Sequence, residues 1–332
     1  MKDARTILQI VPRAPGSREG VGDYASSLAA GLERCHGYKT EFVVGATLSD
    51  KQWRPPSATA VVLHYVNYGY DRRGIPWLLP HRVSQIQQLC GGRLITIFHE
   101  LYAASSWRRS AFWLQPLQKR IARALAQSSA VCIVSSAVLA EQLRQLLPTA
   151  QVVVRPVLST FGEPTLSSAQ MAQRDPRRWV ICGGTELIQR SLRSFRGAAE
   201  PFVVGGADRP EIRRSVDDAH YWPNVEAAVA SDILASCAFG WIDYFERADV
   251  PTAAILKSTA FAAYCAHGVV PVFPSAGSTI ALGGDALPGP FFPRNLPAES
   301  ERPAIAQAMY DWYGRNASSA HLAESIASVI AP

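Results

Sequence analysis

The sequence predicts an α/β protein made of two doubly wound domains, each with a parallel sheet that helices cover on both faces. Short apolar runs alternate with segments of helical periodicity along the chain, a pattern typical of parallel sheets. A polar stretch over residues 160–177 interrupts this alternation, which then starts again. The chain has 332 residues, enough for two domains of ~150 residues each.

In the first half, apolar runs predict the strands and the periodic segments between them predict the helices. The predicted strands are Thr6–Val11, Glu41–Val44, Ala60–Tyr65, Arg93–Phe98, Val131–Val134 and Gln151–Arg155. The predicted helices are Tyr24–Arg34, Val83–Leu89, Ala111–Ala126 and Ala137–Leu147. Before the first helix we expect a glycine-bearing loop, Gly16–Gly22, and a helix cap at Asp23.

The second half repeats the pattern. Its predicted strands are Trp179–Cys182, Phe202–Val204, Ala238–Ile242 and Val269–Phe273. Its predicted helices are Ala227–Ser236, Ser258–His267, Pro303–Tyr313 and Ser319–Ile330. We therefore expect an N-terminal domain over 1–160, a linker over 161–177, a C-terminal domain over 178–310, and final helices over 311–332 that cross back to the N-terminal domain.

Composition excludes several classes of protein. Apolar residues make up 48% of the chain and charged residues 18%, so a sizeable core is available. The net charge of +6 suits an anionic ligand. No arginine-rich arm or finger-type Cys/His spacing indicates nucleic acid, and six scattered cysteines indicate neither disulfides nor zinc. With neither a signal peptide nor an apolar stretch of ~20 residues, we expect a cytoplasmic protein.

Two glycine-bearing turns follow predicted strands, where ligands of open α/β sheets bind. The backbone amides of Gly20-Val21-Gly22 could approach a diphosphate. A tight turn without any ligand would have the same sequence pattern. Gly183-Gly184-Thr185 precedes a helical stretch, and a helix N-terminus is an anion site. A βα turn that needs glycine for clearance is the alternative there.

Two further candidates carry side-chain chemistry. His99-Glu100 follows the strand RLITIF, so both side chains could reach a ligand; the histidine could instead close the strand through a backbone carbonyl. Lys257-Ser258-Thr259 opens a predicted helix and could hold a diphosphate, or it could be a capped helix start with a solvated lysine.

Aromatic residues are interleaved with cations in the segment WRRSAFWLQPLQKRIAR, residues 107–123. Trp107, Arg108, Arg109 and Trp113 would suit an anionic membrane surface or a lipid-linked acceptor. A helix with a solvated basic face is the alternative.

Three stretches in this order resemble the GT-B glycosyltransferases, closest to the family 4 group, which retain anomeric configuration. They are GVGDYASSLAAGL; ITIFHE with VCIVSSAVLAEQL; and the span from YWPNVEAAVASDILASCAFGWIDYF to KSTAFAAYCAHGVVPV. The donor motif of the third stretch is divergent. Where the family has two glutamates that contact the donor, alignment on Gly268 puts Ile255 and Ala263.

The resemblance implies two Rossmann-like domains with an interdomain cleft, the first on the acceptor side and the second binding a nucleotide sugar. The implied reaction moves a sugar from a nucleoside diphosphate sugar to a hydroxyl of a glycan or lipid-linked acceptor, in polysaccharide or glycoconjugate biosynthesis. It would need no metal or other cofactor. His99 and Glu100 would be catalytic. The donor would bind Gly20, Val21, Gly22, Gly183, Gly184, Thr185, Arg190, Tyr244, Glu246, Lys257, Ser258 and Thr259.

Two other functions fit the same pattern. The missing glutamates favour a catalytically degenerate GT-B protein that binds a glycan or a partner. A nucleotide-sugar epimerase of the same architecture would interconvert donor sugars without an acceptor. The cationic segment adds an expectation of peripheral contact at the inner membrane face.

Overall fold

The structure is a computed structural model that describes residues 5–16, 20–50, 52–103, 110–197, 199–245, 250–275 and 278–330. The chain divides into two compact units. Unit 1 comprises Met1–Pro156 and Ser319–Pro332, and unit 2 comprises Val157–Ser318. Each unit has its own parallel sheet and its own apolar core. The predicted fold class, two doubly wound α/β domains, is confirmed.

Unit 1 is built on a six-stranded parallel sheet with the order β2-β1-β3-β4-β5-β6. Its strands are β1 Thr6–Val11, β2 Lys39–Val44, β3 Ala60–Tyr65, β4 Arg93–Phe98, β5 Val131–Val134 and β6 Val152–Val154. The central strands are buried almost throughout, which is why they read as unbroken apolar runs. The strand order changes direction between β1 and β3, so the ligand crevice expected of such sheets lies at their carboxyl ends.

The helices of unit 1 come from both ends of the chain. They are α1 Gly20–His36, α2 Asn67–Tyr70, α3 Leu79–Cys90, α4 Ser110–Ser128, α5 Ala137–Leu146 and, after unit 2, α12 Ser319–Ile330, with a 3₁₀ turn at Thr47–Ser49. Helix α12 packs on α1, and a Cβ added at Gly31 of α1 would lie 2.7 Å from the carbonyl oxygen of Ser319. Glycine at this position therefore permits the close approach of the two helices.

Unit 2 is built on a five-stranded parallel sheet with the order β11-β10-β7-β8-β9, and its switch point lies between β7 and β10. Its strands are β7 Trp179–Cys182, β8 Phe202–Val204, β9 Tyr221–Trp222, β10 Phe239–Trp241 and β11 Val270–Val272, with a separate antiparallel pair, β12 Ala281–Leu282 and β13 Asp285–Ala286. Its helices are α6 Ser168–Ala172, α7 Thr185–Ser194, α8 Pro210–Arg213, α9 Ala227–Ser236, α10 Thr259–Ala266 and α11 Arg302–Asn316, with 3₁₀ turns at Asp218–His220 and Thr252–Lys257.

The start of α1 differs from the sequence prediction. The helix begins at Gly20, so Gly20–Gly22 forms its first turn, and the predicted loop up to Gly22 and cap at Asp23 are wrong. The backbone N–H groups in the first turn of a helix have no intrahelical acceptor. A glycine-containing segment that resembles a loop in the sequence can therefore form the first turn of a helix. Asp23 lies within that turn, where a carboxylate favours the positive end of the helix dipole.

The segment 161–177, which the sequence predicted as a linker, contains α6 and belongs to unit 2. The Ser167 hydroxyl accepts a hydrogen bond from the backbone N–H of Gln170, whose side chain reaches back to the N–H of Ser167. Met171 is 1% exposed and packs in the core of unit 2. The polar composition of the segment reflects helix capping rather than a free connection.

Candidate functional site

The switch point of unit 2 brings the starts of two helices together. Gly183 follows β7 with φ 123°, and a Cβ added there would lie 3.2 Å from the Cβ of Ala260, in the first turn of α10. A side chain at Gly183 would therefore be strained and crowded. The close approach sets the N-terminus of α7 beside that of α10, at the carboxyl edge of the sheet.

The N-terminus of α7 is open. Gly184 is its N-cap and no side chain caps it, while a Cβ added at Gly184 would meet no atom within 4 Å. The hydroxyl oxygen of Thr185 accepts a hydrogen bond of 2.8 Å from the N–H of Ala207, which ties the helix start to the loop after β8. A Cβ added at Gly206 of that loop would lie 3.2 Å from the backbone nitrogen of Thr185, so the loop lies against the first amide of α7. A helix N-terminus without a side-chain cap, with open space at its N-cap residue, suits an anion.

A guanidinium lies on the other side of this switch point, against the loop that follows β10. Arg190 of α7 donates a hydrogen bond to the carbonyl oxygen of Asp243, whose N–H donates to the Ser191 hydroxyl at 3.1 Å. Burial raises the pKa of the neighbouring Tyr244 phenol to about 12, while the positive charge of Arg190 acts to lower that pKa. Arg190 and Tyr244 are thus brought together; Glu246 lies outside the described residues.

Lys257, Ser258 and Thr259 lead into α10, whose first turn contacts Gly183 through Ala260. The Ser258 hydroxyl accepts a hydrogen bond of 3.3 Å from the N–H of Phe261 and caps the helix. The Lys257 side chain is exposed. The capping role that the sequence offered as an alternative is therefore filled by Ser258, while Lys257 extends from the helix start as a cation.

The positions aligned with the two family glutamates are buried and apolar. Ile255 and Ala263 are both 0% exposed. Neither side chain can hydrogen-bond a donor sugar, so any such contact in unit 2 has to come from other residues.

In unit 1, the predicted candidate His99 is the last member of a hydrogen-bonded chain across three adjacent strands. Gln9 of β1 and His64 of β3 are fully buried, with Oε1 of Gln9 2.7 Å from Nε2 of His64. Nδ1 of His64 is 3.3 Å from Nε2 of His99, which directly follows β4. Glu100 is exposed beside them. Burial lowers the pKa of His99 to about 4, and burial together with His99 lowers the pKa of His64 well below its ordinary value.

The glycines at the start of α1 stand in the first turn of the helix that follows β1, one of the two strands at the switch point of unit 1. A Cβ added at Gly20 would meet no atom within 4 Å, whereas one added at Gly22 would lie 3.3 Å from the Cα of Pro15. Gly22 is accordingly buried against the preceding loop, and Gly20 and Val21 form the outer part of the first turn.

An exposed group of large apolar side chains, the aromatic patch, lies on unit 1. It comprises Trp77, Leu78, Phe112, Trp113 and Leu117. Trp113 is 70% exposed, and the guanidinium of Arg120 lies 5.5 Å from the ring centroid of Trp77. Of the predicted surface residues, Trp107, Arg108 and Arg109 lie outside the described residues.

Sequence reasoning missed Gln9, His64 and Tyr264. Gln9 and His64 are the polar residues within the otherwise apolar runs TILQIV and AVVLHY, and this exception to the pattern was a usable signal. Tyr264, fully buried in α10, places its hydroxyl between β7 and β10. Nothing in the local sequence distinguishes it from a packing residue.

Across the ranges that the structure describes, no group of three or more His, Cys, Asp or Glu side chains is arranged to hold a metal ion. No helix in those ranges is both long and apolar enough to span a membrane.

The two units define the fold class as GT-B, with two Rossmann-like α/β domains in one chain. Alr3699/HepE from Anabaena, in complex with UDP and glucose, is similar with a TM-score of 0.56, 11% identity and coverage of 98% of this chain and 99% of that chain. The structure described as trehalose-6-phosphate from E. coli, bound with UDP-2-fluoro glucose, has a TM-score of 0.58, 9% identity and coverage of 98% of both chains.

The N-terminal domain of trehalose-6-phosphate phosphatase from Candida albicans is also similar, with a TM-score of 0.55, 9% identity and coverage of 98% of this chain and 96% of that chain. No protein-family model and no curated protein matches the sequence. At these identities the likeness establishes the fold.

Proposed function

We propose that this protein is a glycosyltransferase that moves a sugar from a nucleoside diphosphate sugar to a hydroxyl group of a glycan or lipid-linked acceptor. The observation that carries the proposal is the switch point of unit 2, where the uncapped start of α7 and the start of α10 meet at Gly183. Arg190 belongs to α7, Tyr244 lies near Arg190, and Lys257 precedes α10. Two proteins of this fold have been solved with such ligands: HepE with UDP and glucose, and the E. coli protein with UDP-2-fluoro glucose. This supports a nucleotide sugar as the ligand of the present protein.

The proposed chemistry rests on charge. When the glycosidic bond of the donor breaks, negative charge develops on the diphosphate leaving group. Amides at a helix N-terminus and an ammonium group stabilise such charge, and they do so most strongly where they are already oriented. We assign this role to the first amides of α7 and to Lys257, without a metal ion. We further propose retention of anomeric configuration, which the family 4 resemblance implies; NMR of the product's anomeric proton would test it.

Two substitutions test the donor site. Lys257→Ala is expected to weaken binding of a nucleoside diphosphate roughly tenfold, because an ammonium–phosphate contact contributes on the order of 1–2 kcal/mol. Gly184→Ala is expected to weaken binding to a similar degree, because its added methyl group would occupy part of the open space at the N-cap position of α7, where we propose that the diphosphate binds. Isothermal titration calorimetry with a panel of nucleoside diphosphates and their sugars measures both effects.

Each substitution has a matched control. Lys39→Ala removes the same charge from an exposed site at the amino end of β2 in unit 1. Gly314→Ala adds the same methyl group in α11, where it also meets no atom within 4 Å. Both controls should bind the ligand as the unchanged protein does. The donor-site assignment fails if no nucleotide binds, or if Lys257→Ala and Gly184→Ala bind as well as their controls.

The buried Ile255 and Ala263 favour a second candidate, a catalytically degenerate GT-B protein that binds a glycan or a partner. Release of nucleoside diphosphate from a donor distinguishes the two functions. If the unchanged protein turns over a donor and His99→Ala abolishes that turnover, the hypothesis of a catalytically degenerate protein is rejected. Donor binding without any turnover across a panel of acceptors would support it.

The aromatic patch leads to a separate proposal, peripheral contact with an anionic membrane that carries the acceptor. The guanidinium of Arg120 lies over the indole of Trp77, and an indole beside a cation suits the boundary between head groups and acyl chains. Trp113→Ala is expected to weaken binding to phosphatidylglycerol vesicles roughly tenfold, a consequence of the apolar area that no longer enters the lipid. Leu296→Ala, at an exposed apolar residue of unit 2, is the control. Equal co-sedimentation with neutral and anionic vesicles would contradict the proposal.

A further inference from the structure

The chain of hydrogen bonds through Gln9, His64 and His99 has a defined direction. Nε2 of the Gln9 amide lies 3.4 Å from the hydroxyl of Thr40, which leaves Oε1 facing Nε2 of His64 at 2.7 Å. An amide oxygen can only accept, so Nε2 of His64 carries a hydrogen. That short distance is typical of a nitrogen donor and an oxygen acceptor.

Neutral histidine has one N–H and one acceptor nitrogen. With the hydrogen on Nε2, Nδ1 of His64 is an acceptor, and the atom 3.3 Å from it, Nε2 of His99, must donate. His99 then has its hydrogen on Nε2 as well, and its Nδ1 carries a lone pair. None of the described residues forms a hydrogen bond with that Nδ1, and the side chain is only partly buried.

The surroundings hold both rings in this arrangement. Tyr24 of α1 packs edge-on against His99 and His64, with ring centroids at 4.9 and 5.8 Å, while the two imidazoles stack at 5.6 Å. The lowered pKa values keep both rings neutral near pH 7. A group with a pKa of about 4 is also a weak general base at that pH. Hydrogen bonding therefore suits His99 better than proton transfer.

We infer that Gln9 and His64 are positioning residues that fix the tautomer of His99, so that its Nδ1 accepts a hydrogen bond from a hydroxyl group of the substrate. The contact with a substrate hydroxyl, whether on the donor sugar or on the acceptor, rests on the proposed function. The tautomer of His99 is independent of that function, because it follows from contacts within unit 1 alone.

The test is long-range ¹H–¹⁵N NMR of the full chain with ¹⁵N-labelled histidine, at neutral pH and without substrate. The ring signals are assigned with His64→Asn and His99→Asn. Both rings of the unchanged protein should show a protonated Nε2 and an unprotonated Nδ1. Gln9→Leu removes the acceptor of His64 and should replace the single tautomer of both rings with a mixture.

Two variants complete the test. Thr40→Val, which removes only the outer contact, should keep the single tautomer of both rings, and His81→Gln, at an exposed position, should leave the signals of His64 and His99 unchanged. A protonated Nδ1 on His99 in the unchanged protein would overturn the inference whether or not Gln9→Leu folds. Unchanged tautomers in a folded Gln9→Leu would overturn it too. Failure of nucleotide binding in calorimetry would refute the proposed function and leave the tautomer result standing.

Discussion

Replacement of Tyr264 by phenylalanine is expected to lower the free energy of unfolding by about 2 to 4 kcal/mol, because it leaves two buried backbone groups without partners. The Tyr264 hydroxyl accepts a hydrogen bond of 3.1 Å from the N–H of Cys182 and donates one of 2.9 Å to the carbonyl oxygen of Trp241. These residues end β7 and β10, so the hydroxyl bridges the two strands at the switch point of unit 2. The ring itself depends on Gly240, where an added Cβ would lie 2.7 Å from it.

Urea denaturation followed by circular dichroism measures this loss, and Tyr310→Phe is the matched control. The Tyr310 hydroxyl also accepts from one backbone N–H, that of Leu166, and donates to one carbonyl, that of Pro164. Tyr310 is partly exposed, so water can replace those contacts and we expect a loss of less than about 1 kcal/mol. Equal losses in the two variants would show that the bridge between β7 and β10 contributes nothing beyond an ordinary hydrogen bond.

Acidification from pH 6.5 to 4 is expected to destabilise the protein through His267. Burial lowers the pKa of this fully buried ring to about 4, while the ring in the unfolded chain titrates near 6.5. Between these values the unfolded state binds a proton that the folded state does not. The stabilisation is therefore fully present above pH 6.5 and is lost as the pH falls toward 4. The difference between the pKa values of His267 in the folded and the unfolded protein corresponds to about 3 kcal/mol in the free energy of unfolding.

His267→Gln isolates this contribution because glutamine does not titrate. The variant should lose about 3 kcal/mol less than the unchanged protein between pH 6.5 and 4, measured as the free energy of unfolding in urea. Carboxylates that titrate in the same range affect both proteins equally and cancel in the comparison. His81→Gln, at an exposed position, should follow the unchanged protein. Parallel pH profiles for His267→Gln and the unchanged protein would contradict the assignment.

The candidate site was partly predictable. Gly183 and Gly184 directly follow the apolar run WVIC, and a strand, two glycines and a helix predict an anion site from contiguous residues. The sequence offered the cap that Ser258 provides for α10 as one of two alternatives. It could not show that Ala260 lies against Gly183, since that contact joins residues far apart in the chain. It also could not predict that α1 begins at Gly20, because first-turn glycines and loop glycines look alike.

The fold class could be predicted from local patterns, because apolar runs and helical periods are properties of neighbouring residues and reflect the burial of each strand and helix. The neighbours of each strand in the sheet, and so the side chains that meet, could be learned only from the three-dimensional packing. Gln9, His64 and His99 form one chain of hydrogen bonds because β1, β3 and β4 are neighbours in the sheet. The hydroxyl of Tyr264 likewise reaches Cys182 and Trp241 because α10 packs over β7 and β10. Such contacts depend on strand order and close packing, which local patterns do not encode.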